Sequence, residues 1–215
     1  MGLLDWFKTS HADAPRIQRW VVLDVETSGL EPQEAQLLAV AAVAVQVDWQ
    51  AKRLVLLPGE SVEIDIRPAD IVSDKSNILI HGIGQQRQQQ GMPLLDALPA
   101  LTQFIGDSPL LAFHAWFDKA MLSRHFALAG LKKLPNPWID IEKLCIALHP
   151  KSSAESLDDW LEMFDIPCTA RHEAAADTYA ECELLQRIWP ALAKDAKNWK
   201  QLKAIEAYGR GLRDA

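Results

Sequence analysis

Asp24 and Glu26 stand two residues apart at the end of an apolar run, W-V-V-L-D-V-E-T-S-G over residues 20–29. In a strand, alternate side chains share a face, so these two carboxylates emerge together about 7 Å apart along the chain. At the mouth of an apolar strand they repel each other unless a cation lies between them. Hard oxygen donors at this spacing suit Mg²⁺ or Mn²⁺. An isolated D-x-E also reads as a solvated strand tip or a turn cap, so a metal assignment needs further ligands from elsewhere in the chain.

Two other clusters offer them. H-A-W-F-D, His114 to Asp118, lies where a short apolar strand runs into a helical pattern, and Asp118 falls in the first helical turn. A carboxylate is favoured there by the positive end of the helix dipole. In R-H-E-A-A-A-D, His172 precedes Asp177 by five residues. Five residues of helix turn through about 500°, which leaves two such side chains about 140° apart. His172 is therefore expected in the loop entering the helix, with Asp177 projecting from the helix itself. Taken singly, Asp118 is an ordinary early-helix acid and His172 with Asp177 a solvated surface pair.

The elements that must position these groups follow from the apolar pattern. Bulky and β-branched residues from Trp20 to Val25 predict a strand covered on both faces, closed by Ser28-Gly29. Leu37 to Val47 is almost continuously apolar and predicts a second strand, antiparallel to the third. That third strand takes in Leu54–Leu57 and the alternating Val62, Ile64 and Ile66, with an interruption at Pro58-Gly59. A polar stretch over 68–91 carries I-H-G-I at 80–83 and a glutamine-rich segment, read as short helix and loop. Leu94 to Ile105 follows helical spacing with Pro93 in its first turn. A strand at Leu110–Phe113 leads to a helix ended by Gly130, and Trp138–Ile141 predicts another strand. Ser156 caps a helix to Phe164, and a longer helix runs from Ala174 to Ile188. Three strands followed by alternating helices and strands predict an α/β domain with a mixed sheet of about five strands flanked by helices. Ligands of such folds sit at the strand ends.

Composition sets the bounds. The 215 residues are 49% apolar and 24% charged, ordinary for one globular domain with additions. A net charge of −7, from 22 basic and 29 acidic residues, argues against nucleic-acid binding through a broad basic surface. A metal-dependent site is less constrained, since bound divalent ions reverse its local charge. Cys145, Cys168 and Cys182 are odd in number and lack C-x-x-C spacing, which points to neither a disulfide framework nor zinc, and to a cytoplasmic location. No apolar run approaches the roughly 20 residues of a membrane span, so no membrane partner is expected.

D-V-E-T-S-G, H-A-W-F-D and H-E-A-A-A-D, in that order, resemble the motifs of the DEDDh family of 3′-to-5′ exonucleases, the ribonuclease-H-like group that includes polymerase proofreading subunits. The resemblance spans residues 20–189, with I-H-G-I and W-I-D-I-E-K-L as weaker landmarks. It implies a ribonuclease-H-like fold, with Asp24, Glu26, Asp118 and Asp177 holding two divalent cations, Mg²⁺ or Mn²⁺, and His172 acting as general base. Two such ions about 4 Å apart serve the nucleophile, the pentavalent phosphorus and the leaving oxygen together. The resemblance also places the backbone around Thr27, together with His81 and His114, near substrate. The family's usual His-Asn is here His114-Ala115, so an amide expected to touch substrate is missing; the neighbouring Trp116 could offer a stacking face. The implied activity is release of nucleoside 5′-monophosphates from single-stranded DNA with a free 3′ end, in proofreading or repair; a proofreading role needs a DNA polymerase as a partner, and a stand-alone enzyme is the alternative. The alternatives are the same chemistry on RNA or oligoribonucleotides, and a non-catalytic nucleic-acid-binding protein on the same fold. Residues 1–19 read as an N-terminal appendage, 20–193 as the exonuclease domain and 194–215 as a helical extension.

Overall fold

The computed structural model describes residues 16–71, 78, 82–168 and 170–213. Most of the N-terminal appendage and His81 of I-H-G-I therefore lie outside the described residues. Strands β1 (Ile17–Thr27), β2 (Leu37–Asp48) and β3 (Arg53–Arg67) form an antiparallel meander. Helix α1 (Gln85–Gln90) is followed by the two-residue strand β4 (Met92–Pro93) and helix α2 (Leu94–Ile105). Then come β5 (Leu110–Ala112), α3 (Ala115–Leu128), β6 (Trp138–Asp140), α4 (Ile141–Leu148), α5 (Leu157–Met163), α6 (Ala174–Asp195) and α7 (Trp199–Arg213). The sheet order is β4-β3-β2-β1-β5-β6, with β5 parallel to β1 and β6 parallel to β5.

Among the described residues the sheet has six strands, where about five were expected. The additional one is β4, whose Met92 pairs with Ile66 of β3. Two residues are too few to leave a periodic signal, and Pro93 stands just before the first helical turn instead of within it. The expected interruption at Pro58-Gly59 is a bulge. Partners of β2 jump from Ser61 to Leu57 between Val43 and Ala44, and the strand continues beyond. A proline cannot donate to the ladder, and a bulge takes it out of the pairing.

The alternation of β1 divides the core. Trp20 and Val22 face the layer built by α4 to α7, whereas Val21, Leu23 and Val25 face α2 and α3. Asp24 and Glu26 continue the Trp20–Val22 face, and their partners across the ladder are Ala41 and Ala39. These small side chains let Ala174, at the start of α6, pack directly on β2. Bulk is concentrated at the other end of the same face. Trp20 meets Trp49, Trp189 and Trp199 edge-on at centroid separations of 5.5, 5.7 and 5.1 Å, pinning α6 and α7 to β1. Helix α7 carries few apolar residues, yet it docks on α4 through buried Leu202 and Gly209. Among the described residues no helix is long and apolar enough to cross a membrane.

Candidate active site

A cleft of about 650 Å³ opens where β1 ends, lined by residues of β1, the β5–α3 junction and the entry to α6. Asp24, Glu26 and Asp177 each point an oxygen into it, and these oxygens lie within 4.8 Å of one another. Strand alternation supplies the first two. The third comes from the first turn of α6, which the alanines of β2 admit close to the sheet.

Asp118 arrives from the other layer. β5 pairs with β1 only at Val21 and Val22, and the chain then leaves the sheet through His114, whose φ of 56° lies in the left-handed region. That sharp exit starts α3 beside the uncovered edge of β1. The buried Asp118 carboxylate there accepts the Val25 backbone N–H and faces Asp24.

His172 lies in the turn before α6, with φ of 66°. Its backbone N–H donates to Asp177 Oδ2 at 3.0 Å, and its side chain is exposed at the cleft wall. Thr27 and His114 also line the cleft. The Thr27 hydroxyl is committed to the Gly29 carbonyl at 2.7 Å. His114 Nε2 lies 3.3 Å from Glu142 Oε2, and Glu142 is also held by Lys143 and by Arg213 of α7 at 2.9 Å. Burial works against ionised Glu142, but hydrogen bonds from His114 and Lys143 hold its carboxyl below the ordinary value. Ala115 is buried in the α2–α3 layer, while Trp116 stands 62% exposed on the cleft rim.

Without a cation the acids strain one another. Burial, then Asp118, Glu26 and Asp177, push the Asp24 carboxyl well above its ordinary value, with Arg171 opposing. Glu26 is pushed up to about 8, first by burial and then by Asp177. Burial also pushes Asp118 up to about 8, against the backbone N–H groups it accepts from. Clustered oxygen donors that resist ionisation together fit hard divalent cations such as Mg²⁺ or Mn²⁺.

Two residues of the cleft escaped the motif reading. Arg171 pairs with Asp177 and, at 2.5 Å, with Asp158. Its place beside His172 was visible, but not its reach to two acids. Glu181, 1% exposed, lines the cleft floor one helical turn after Asp177 and faces Asp24 and Asp118. The i, i+4 spacing was the available signal.

The family model RNase_T, described as Exonuclease, matches residues 21–185. The chain is 32% identical over 171 residues to the PolC-type DNA polymerase III of Halalkalibacterium halodurans, covering 79% of this chain and 11% of that protein. It thus spans about a tenth of the length of that relative. Among solved structures, the nuclease domain of 3′hExo, a DEDDh family member bound to rAMP, superposes with a TM-score of 0.68 at 18% identity, covering 81% of this chain and 92% of that one. Exonuclease X in complex with 5′ overhanging duplex DNA superposes with a TM-score of 0.65 at 21% identity, covering 87% and 99%. These two likenesses concern the fold. With the family model matching most of its length and the acids and histidine in the DEDDh order, the chain belongs to the DEDDh family of exonucleases.

Proposed function

We propose that this exonuclease removes nucleotides from the 3′ end of single-stranded DNA as nucleoside 5′-monophosphates. Asp24, Glu26, Asp118 and Asp177 would hold two divalent cations, Mg²⁺ or Mn²⁺. Once bound, such ions supply charge stabilisation at the phosphoryl group and on the attacking and leaving oxygens. The observation that carries the reading is the meeting of three carboxylates from β1 and α6 within 4.8 Å, beside an exposed histidine.

His172 is the group suited to take the proton of the attacking water, because its imidazole is exposed at the cleft wall beside the acids and a positioned histidine can act as general base. Its backbone bond to Asp177 keeps it next to the acids. Thr27 offers backbone to the terminal nucleotide, and His114, braced by Glu142, also lines the cleft. Trp116 provides an exposed aromatic face on which a base can stack whatever its identity.

The PolC-type relative supports a DNA substrate and a role beside a DNA polymerase in replication, and the neighbour bound to overhanging duplex DNA fits the same substrate. The neighbour bound to rAMP supports RNA as the second reading. The test is degradation of 5′-labelled single-stranded DNA and matched RNA with Mg²⁺, Mn²⁺ or EDTA, with Asp24→Ala as control. A DNA ladder shortening from the 3′ end, dependent on metal and absent in the variant, is expected. Faster loss of RNA would replace DNA as the substrate, and metal-independent turnover would overturn the cation assignment.

A further inference from the structure

Glu181 belongs to none of the motifs that mark the family, yet it is among the most buried acids in the molecule, at 1% exposure. It sits on α6 four residues after Asp177, so the two side chains share one helical face. That face is pressed onto the sheet, where Ala39 and Ala41 of β2 leave space instead of filling it. Glu181 therefore reaches the cleft floor behind Asp24 and Asp118.

Its bonding is incomplete. The Phe113 backbone N–H donates to the carboxylate, but Oε2 is buried with no hydrogen-bond partner. No lysine, arginine or histidine among the described residues pairs with it. Arg171, the only Lys or Arg lining the cleft among the described residues, is engaged by Asp158 and Asp177. A buried carboxylate oxygen without a partner costs free energy, and a purely structural role would be met as well by an apolar residue or a glutamine.

From this orphaned oxygen and the place of Glu181 in the cleft lining we propose that Glu181 is a fifth acidic member of the cation site, which raises its affinity for a hard divalent ion beyond what the four motif acids provide. This rests on the cation assignment made above. It assigns Glu181 no part in proton transfer. Groups that support metal ligands from just behind them contribute about 10- to 100-fold in metal affinity.

The test is Mn²⁺ binding to the full chain without nucleic acid, followed by the loss of the free-ion electron paramagnetic resonance signal and by calorimetry. Glu181→Gln keeps the shape and an acceptor for the Phe113 N–H, and Glu181→Leu keeps the volume without an acceptor, so at least one variant folded by circular dichroism is expected. The expected result is Mn²⁺ affinity about tenfold or more below wild type, with a higher melting temperature in EDTA. A folded variant binding Mn²⁺ within about twofold of wild type overturns the role of Glu181. Asp24→Asn separates the two levels: loss of binding in Asp24→Asn with none in the Glu181 variants sinks only this inference. Wild-type binding by Asp24→Asn sinks the cation assignment, and this inference with it.

Discussion

The backbone N–H of His172 donates to Oδ2 of Asp177 at 3.0 Å, closing the turn that carries the histidine onto the acid of the following helix. One carboxylate thus offers oxygen to the acidic cluster and holds a left-handed, non-glycine residue in place. We predict that Asp177→Asn, which retains an acceptor, leaves the turn intact but abolishes metal-dependent turnover. Asp177→Ala should lose both, with added disorder at His172. The His172 imidazole resonances in the two variants check this, and identical spectra would count against the bracing role.

His172→Ala is predicted to slow hydrolysis by about 10² to 10⁴, the usual contribution of a positioned general base, with Mn²⁺ affinity nearly unchanged. The prediction follows from its free position beside the acids. Single-turnover rates within about threefold of wild type would remove His172 from the proton-transfer role.

Stability without metal should fall with rising pH. Glu26 has an ordinary value of 4.5 and is raised to about 8 in the fold, so between these values the folded chain binds a proton that the unfolded chain has released. The contribution of Glu26 to folding stability is therefore fully present below about pH 4.5 and lost as pH rises toward about 8. In EDTA a drop of about 1 kcal/mol or more, roughly 2–4 °C, is expected between pH 5.5 and pH 8 after allowance for solvent screening. Saturating Mn²⁺ should reduce it, because a ligand that binds the folded state stabilises that state. Melting curves that do not change with pH in EDTA would contradict the strained-acid picture.

Asp24→Asn should raise the melting temperature in EDTA while abolishing turnover, since the change removes a carboxyl that burial and three neighbouring acids disfavour. A variant less stable than wild type under those conditions would show that the Asp24 charge is compensated by the protein itself.

Trp116→Ala should raise KM for a single-stranded substrate by about 5- to 150-fold, with kcat much less affected. That range corresponds to about 1–3 kcal/mol for one base stacked on an aromatic ring. The prediction follows from the 62% exposure of Trp116 at the cleft rim. Unchanged KM would leave the tryptophan without a substrate role.

Gly209→Ala tests whether α7 is integral to the fold. A Cβ at Gly209 would run into the Lys143 backbone carbonyl of α4, and a backbone group cannot swing aside as a side chain would. Destabilisation of about 1–3 kcal/mol in chemical denaturation is expected, the usual effect of overpacking. A neutral effect would mean that α7 docks more loosely than its buried Glu206 and Leu202 imply.

What the sequence determined by itself was local. Strand alternation put Asp24 and Glu26 on one face because period two is a property of any extended chain. The Ser156 cap was legible for the same reason, and the helix it starts is closed by reciprocal bonds with Asp159. Helical period separated His172 in the loop from Asp177 on the helix without reference to the rest of the molecule. Tertiary structure decided which of these groups meet. Asp118 joins Asp24 only because β5 stops early and uncovers the Val25 N–H, a matter of strand length in a different segment. Glu181 belongs to no motif, and its burial follows from the packing of α6 against the sheet, where Ala174 meets the small Ala39 and Ala41 of β2. The polar helix α7 is likewise held by a tryptophan cluster and by Gly209, contacts contributed by residues far apart in the chain. Periodicity reports which way a side chain points from its own backbone. What it finds there depends on packing between elements that no short window of sequence contains.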